Sequence, residues 1–496
     1  MPITGAVDGA GNRAGLLACI NFLREEPGGN RHRLFVNDLN GPLYILDKDT
    51  KKTATYLDFN GLSGRQGIFH RLAIDQGLAS GFISFGFDPD YAHNGRFYTI
   101  HLEDPALPAS DVPDNKNFPG LNTSGYTVTP PIHTFGNTER EAVVIEWTDT
   151  NLSNSTFEGT ARELMRVQYT GAIHPMADLI FNPAARPGDP DWRVMYIATG
   201  DGGNGEQTSA VRANPQRLDM LVGKILRIIP DLKEHTASST VSENGRYRIP
   251  NDNPFASIPG ARKEIWAYGL RNPHRLTWDV DPANPANNRL IALVIGLATW
   301  ETVDLIHKGA NYGYSRREGP QQLNADNTLA SPPADDTIPV QIDAARTDGT
   351  VHPSYPVIAY GHAKKDGVIA ISNGFVYRGK AIPALRGKFL FGDITSGRIW
   401  WADMKEMLAA DDGDPKTMAE MHDVRIAWND NVYRAMTPIN EVAYHARGGK
   451  SVHLPGAERV PGGRSDLRLA VDAEGELYVM TKSDGTIRAV VGADSR

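Results

Sequence analysis

An all-β fold, in which small antiparallel sheets repeat around a ring, is predicted by three observations: a recurring strand-turn-strand unit, dense Gly and Pro punctuation, and no long helical periodicity. The unit is an apolar residue, an Asp or Asn with Pro or Gly, a loop, and a β-rich run. It occurs as FDPDYAHNGRFYTIHL from Phe87, FNPAARPGDPDWRVMYIATGDGG from Phe181, WDVDPANPANNRLIALVIG from Trp278 and VDAEGELYVMTKSDGTIRAVV from Val471. Asp-Pro and Asn-Gly steps reverse the chain, and the flanking Tyr, Val, Ile and Phe favour strands, so each unit reads as a hairpin. Further strand pairs fit LFVNDLNGPLYILD near Leu34, NGFVYRG near Asn373 and GKFLFGDITSGRIWWADM near Gly387. A ring of such sheets hides most of the edges that they would otherwise expose.

The 49 Gly and 33 Pro lie in turn-like clusters along the chain. The four clearest units are too far apart for compact forty-residue repeats, which predicts divergent repeats and long insertions. The stretches 104–136 and 318–355 are the expected excursions, serving either as decoration or as walls of a substrate cleft. The whole chain, 1–496, is expected to form one domain, with 1–33 as an N-terminal extension or closing segment.

Charge and cysteine content narrow the function classes. The formal net charge of -8 argues against a nucleic-acid partner, so an anionic ligand would need a local cluster of Arg. The single cysteine, Cys19, makes no internal disulfide and gives no zinc or covalent haem motif, so redox chemistry would need a bound cofactor. No apolar run is long enough to span a membrane, and the start MPITGAVDGAGNRAGLLACINF lacks the basic-then-apolar order of a signal peptide. TGDGGNGE and GRSDLRL lack the spacing of a phosphate loop, and no GxSxG elbow is present.

In order along the chain stand GFISFGFDPDYAHNGRFY, HPMADLIFNP, YIATGDGG, QRLDMLVGKILRIIPD, EIWAYGLRNPHRLTWD, GANYGYSRREG and NGFVYRGKAIPALRGKFLFGD. This series resembles the soluble glucose/sorbosone dehydrogenase family, from about Leu34 to the C-terminus. The resemblance implies a six-bladed β-propeller, pyrroloquinoline quinone (PQQ) on its axis, calcium, and oxidation of an aldose or related alcohol. It further implies an external electron acceptor and a periplasmic or secreted location. Oligomeric state is left open.

Hydride transfer from a sugar carbon to a quinone needs a base for the hydroxyl proton, and neutral His suits that task. His174 resembles the family's base, in its position before a strand start, an Asn-Pro turn and the TGDGG loop. Asp201 in that loop can orient and stabilise the imidazolium, or cap the turn that Gly202 and Gly203 bend. The three carboxylates of PQQ call for guanidinium or ammonium partners. Arg271 and Asn272 match the family's Arg-Asn step, and Arg464 and Arg468 fall near two further cofactor arginines with the register offset by one. The resemblance implies calcium at the backbone carbonyls of Gly296 and Leu297, where the ion would act as a Lewis acid.

Several positions depart from the family pattern. Val294, Leu297 and Thr302 differ in the calcium loop, Ala79 replaces a Gln or Glu (with Gln76 nearby but out of register), and Thr395 stands where the lysine that meets the quinone is expected. Of the other histidines weighed, His101, His133, His274 and His362, only His362 is added to the catalytic set, because it precedes the NGFVYRG repeat. Two alternatives stay open: a metal-dependent propeller hydrolase or lyase without PQQ, and a non-catalytic propeller that binds a carbohydrate or protein.

Overall fold

The computed structural model describes residues 1–9, 15–28, 32–74, 80–206, 210–281 and 283–492. Ala79 and Gln76 lie outside the described residues. Among those described, six of ten sheets follow one another along the chain. The first contains Ile20–Glu25, Arg33–Asp38, Pro42–Asp47 and Thr53–Asp58. The second contains Phe82–Phe87, Arg96–Glu103, Arg140–Asp149, Gly159–Tyr169 and the short Leu121–Asn122. Met176–Phe181, Met195–Thr199, Lys224–Ile228 and Ile265–Tyr268 make the third. The fourth is Asn272–Asp279, Arg289–Ile295, Trp300–Leu305 and Ile358–Gly361. The fifth is Ile371–Val376, Lys388–Asp393, Ile399–Asp403 and His422–Asp423, and the sixth Leu467–Val471, Leu477–Thr481 and Thr486–Ala489.

The four repeats seen in the sequence are hairpins joining the first and second strands of the second, third, fourth and sixth sheets. Second strands such as MYIAT and LYVMT are buried along their whole length because another sheet covers each face. Continuous apolar runs are the expected pattern for strands covered on both faces.

Apolar side chains fill the gap between every pair of consecutive sheets. Phe35 and Tyr56 meet Phe85 and Phe97 between the first and second, and Tyr196 and Ile225 meet Leu276 and Ala292 between the third and fourth. Phe375 and Leu390 meet Leu467 and Val479 between the fifth and sixth. Ala470 and Met480 of the last sheet pack on Ile20 and Val36 of the first, so the circuit closes on itself. The first strands of the six sheets likewise contact one another in a closed circuit. Each fully buried Phe or Leu in these layers contributes about 1.5–3 kcal/mol.

Closure is reinforced inside the 1–33 segment. Leu17 and Ala18 donate their amides to the carbonyls of Ser483 and Lys482, each at 3.3 Å, and Ile20–Glu25 then begins the first sheet. The excursions are ordered rather than loose. Leu121–Asn122 pairs in parallel with Gly159–Thr160, and the second excursion carries a three-stranded sheet that starts at Arg317 and a two-stranded hairpin, Ile338–Gln341 with Thr347–Val351. No helix among the described residues is long and apolar enough to cross a membrane.

One local device sets up the site. The first strand of each of the first five sheets carries a register irregularity near its start, between Ile20 and Phe22, Phe82 and Ser84, Met176 and Asp178, Pro273 and Arg275, and Ile371 and Gly374. Such bulges bend a strand and re-aim its side chains.

Candidate functional site

Residues before the first strands and after the second strands gather at one end of the ring. Asp residues in the turns after several second strands use their carboxylates to hold the turn. Asp38 accepts from Asn40 N, Asp201 from Gly203 N, Asp393 from Thr395 N and Ser396 N, and Asp484 from Thr486 N. This is the Asx-turn chemistry expected of such loops.

In the third sheet the turn carboxylate does a second job. His174 precedes the first strand and Asp201 follows the second, so the hairpin brings them together, with His174 Nδ1 2.9 Å from Asp201 Oδ1. His174 holds a left-handed backbone with φ of 54°, uncommon for a side chain of this kind, and its carbonyl accepts from Gly202 N at 2.9 Å. Asp201 Oδ2 accepts from Gly205 N at 2.9 Å and from the Tyr314 hydroxyl at 3.4 Å. Burial alone would raise the Asp201 pKa, but the hydrogen bond and charge of His174, then Arg271 and Gly203 N–H, hold it below the usual carboxylate range. The turn reading and the orienting reading of Asp201 thus describe one geometry.

From Asp201 the contacts run on without a break. Asp201 N donates to the Arg271 carbonyl at 2.7 Å. The buried Arg271 guanidinium pairs with Glu206 and donates to the carbonyls of Gly296 and Ile295, the latter at 3.2 Å. Burial disfavours that charge, yet Glu206 and Asp201 more than offset it and raise the Arg271 pKa. Gly296 N reaches Glu301 Oε1 at 3.3 Å, and the same oxygen lies 2.8 Å from His362 Nε2. Burial pushes Glu301 up to about 7, although His362 and the Ile371 amide favour its ionised form.

The loop that carries Gly296 and the half-buried Leu297 is fixed from outside the sheet. Glu318 Oε1 accepts from the amides of Ala298 at 2.7 Å, Thr299 at 2.8 Å and Trp300 at 3.3 Å. Glu318 and Tyr314 arrive on the long connection between the third and fourth strands of this sheet, so the excursion supports the site.

The other wall comes from the sixth sheet. Arg464 pairs with Asp466 at 2.8 Å, while Arg468 donates to Asn21 Oδ1 at 3.2 Å and the Leu467 carbonyl at 2.8 Å. Asn440 in the helix Thr437–Ala446 donates to Thr481 and Asp484, each at 3.0 Å, and accepts from Ser465 at 2.5 Å, pinning both segments. Between these segments sits Lys482, 3% exposed, with no ion pair for its ammonium among the described residues. Burial, then Arg468, push its pKa well down. His274 links the two walls. Burial first, then Arg275, Arg468, Lys482 and His174, keep it well below the usual imidazole range.

The geometry therefore joins His174, Asp201, Arg271, Gly296 and His362 in one contact chain, with Asn272 buried at the start of the adjacent strand opposite Ile295. Arg464 and Arg468 stand apart from it. Glu301, Glu318, Tyr314 and Lys482 were not singled out from the sequence. A cue existed for Lys482, since TKSDG occupies the same turn position as TGDGG. Thr395 is fully buried and donates its hydroxyl to Gly367 O and to Asp393, at 2.8 Å for the latter. His101 is buried against Phe69 and Glu103, and His133 is exposed beside Gln168.

His174, Asp201 and Glu206 each present a ligand atom within 4.8 Å of one another. Two of the three are already committed, Glu206 to Arg271 and Asp201 to the Gly203 and Gly205 amides, which suits orientation of an imidazole better than a metal cage.

The chain belongs to the Glucose / Sorbosone dehydrogenase family, whose pattern matches residues 29–437. It is 27% identical over 403 residues to the HIPL1 protein of Arabidopsis thaliana, covering 77% of this chain and 52% of that protein. It therefore spans about half the length of that relative. Over 120 residues it is 33% identical to the aldose sugar dehydrogenase YliI of Escherichia coli, covering 24% of this chain and 25% of YliI. A solved glucose dehydrogenase shares its fold, with a TM-score of 0.55 at 16% identity over 97% of this chain and 99% of that one.

Proposed function

We propose that this chain is a PQQ-dependent dehydrogenase of aldose sugars or related alcohols, on a six-bladed β-propeller in which each of the six consecutive sheets is one blade. The observation that carries this reading is the unbroken chain His174–Asp201–Arg271–Gly296–Glu301–His362 at one end of the ring. The cation supply suits a tricarboxylate. Arg271 Nε is buried without an acceptor among the described residues, and Lys482, 3% exposed, makes no ion pair there. Lys482 supplies a cation that Thr395 does not. With Arg464, Arg468 and the Asn272 amide, these groups would hold the quinone.

When bound, PQQ supplies the two-electron acceptor for hydride from the substrate's carbinol carbon. His174 takes the hydroxyl proton. Asp201 accepts from Nδ1–H, which fixes the tautomer and leaves the Nε2 lone pair as the base. The same carboxylate then stabilises the imidazolium. His362, oriented by Glu301, is the second imidazole of the site and positions the sugar. Calcium at the carbonyls of Gly296 and Leu297 would require Arg271, which now holds the Gly296 carbonyl, to turn towards the quinone carboxylates. Electrons pass on to an external acceptor, in a periplasmic or extracellular setting.

The test is dye-linked oxidation of an aldose panel by protein reconstituted with PQQ and calcium. Turnover in the wild type and its loss in His174→Ala, with PQQ binding and Tm retained, are expected. Full activity in the variant would remove His174 as the base.

A further inference from the structure

A cavity opens at the other end of the ring, where the first strands finish. It has a volume of about 650 Å³ and is lined by Phe22, Phe87, Phe181, Trp192, Trp278 and Phe375 with aliphatic neighbours. That volume suits a small organic ligand, and the lining is largely apolar.

Cations stand among this apolar lining. Arg24 and Arg275 both line the cavity; of its carboxylates, Asp178 lies 3.2 Å from Arg24 Nη2, whereas Glu25 and Asp472 pair with Lys48, Glu26 with Arg33 and Asp88 with Arg193. Asp178 is otherwise satisfied by Ser84 and by the amides of Leu179 and Leu276. Arg275 is 2% exposed and makes no ion pair among the described residues. Its Nη1 donates to the carbonyls of His274 at 2.5 Å and Ala177 at 3.4 Å, and its Cζ lies 4.1 Å from the Phe22 ring centroid. Its Nε and Nη2, and Trp278 Nε1, are buried without an acceptor. Burial, then the charge of Arg468, pull the Arg275 pKa well down. A buried guanidinium is costly unless an anion completes it, and two adjacent free N–H groups match a carboxylate fork.

We propose that this cavity binds a small monocarboxylate carried on an apolar body, with the carboxylate on Arg275 and the body among Phe22, Phe87, Phe181 and Phe375. The site is separate from the His174 end and does not depend on the reaction proposed there.

The experiment is calorimetric titration of the full chain with octanoate, using octanamide and acetate as comparators, with and without saturating PQQ. Octanoate is expected to bind one to one, at least about tenfold more tightly than either comparator, because each comparator lacks one half of the match. PQQ should not compete with it. Arg275→Met should reduce octanoate binding to the octanamide level while keeping or raising Tm, since it removes an unpaired buried charge. Should that variant fail to fold, Thr277→Trp, which fills the cavity from its wall and leaves Arg275 in place, should abolish binding of octanoate. No octanoate binding, equal binding of octanamide, competition by PQQ, or undiminished binding in both variants would each overturn the proposal.

Discussion

His362 Nε2 lies 2.8 Å from Glu301 Oε1, and the second oxygen of Glu301 accepts from Ile371 N at 2.7 Å. Like His174 on Asp201 in the third sheet, this is an imidazole on a buried carboxylate, but it is held through Nε2 rather than Nδ1 and joins the third and fourth strands of its sheet. The two carboxylates also differ electrostatically. Asp201 sits among turn amides and Arg271 and is held ionised, whereas Glu301 is raised to about 7 by burial. The Asp201 carboxylate is a fixed negative charge at neutral pH, and the Glu301 carboxyl exchanges a proton near neutrality.

That contrast gives a pH prediction. Glu301 is raised in the folded state, so its contribution to stability is complete below about pH 4.5, the ordinary glutamate range, and is lost as pH rises through about 7. The loss is of order 3 kcal/mol. Asp304, also buried and raised to about 7, acts in the same direction. Asp201 has the opposite sign: its contribution is present above about pH 4 and is lost as pH falls through its depressed value. Chemical denaturation from pH 5 to 8 should show falling stability in the wild type and a shallower fall in Glu301→Gln.

Asp201→Asn should lower kcat by about 10²–10⁴-fold, because the imidazole loses the carboxylate that fixes its tautomer and stabilises its charge. KM should change little. Steady-state kinetics with dye-linked detection checks this, and near-normal kcat would remove Asp201 from the proton path.

Gly205 is set by packing. A Cβ there would collide with the Tyr314 hydroxyl and lie 3.1 Å from Asp201 Oδ2. Gly205→Ala should cost about 1–3 kcal/mol and reduce kcat, as overpacking does in a filled interior. Adding Tyr314→Phe removes the struck atom, so the double variant should recover part of both losses. Urea unfolding and kcat for the three variants form the cycle.

Lys482→Met should weaken PQQ binding by about tenfold or more while leaving Tm unchanged or higher, because burial and the neighbouring Arg468 disfavour the ammonium until a carboxylate meets it. An equal loss of binding and stability would make Lys482 a structural group.

The hairpins were legible in the sequence because they are local: Asp-Pro and Asn-Gly steps sit between runs of β-formers. His174 and Asp201 were legible for the same reason, since they flank one hairpin and meet when it closes. Glu301, Glu318, Tyr314 and Lys482 were not, because their roles arise where one sheet meets the next or where a long connection folds back. The 318–355 stretch illustrates the limit. Its Pro and Asn content marks an excursion, but nothing local shows that Glu318 will cap the amides of Ala298, Thr299 and Trp300. Thr395, out of line as a quinone contact, is accounted for by its turn, where its hydroxyl is bound to Asp393.

The most direct test of the proposed function is titration of the apo-protein with PQQ, with and without calcium, followed by heat and absorbance. Tight one-to-one binding is expected, strengthened by calcium as Arg271 leaves the Gly296 carbonyl, and weakened in Arg271→Ala without a matching loss of Tm. Absence of PQQ binding under both conditions would contradict it.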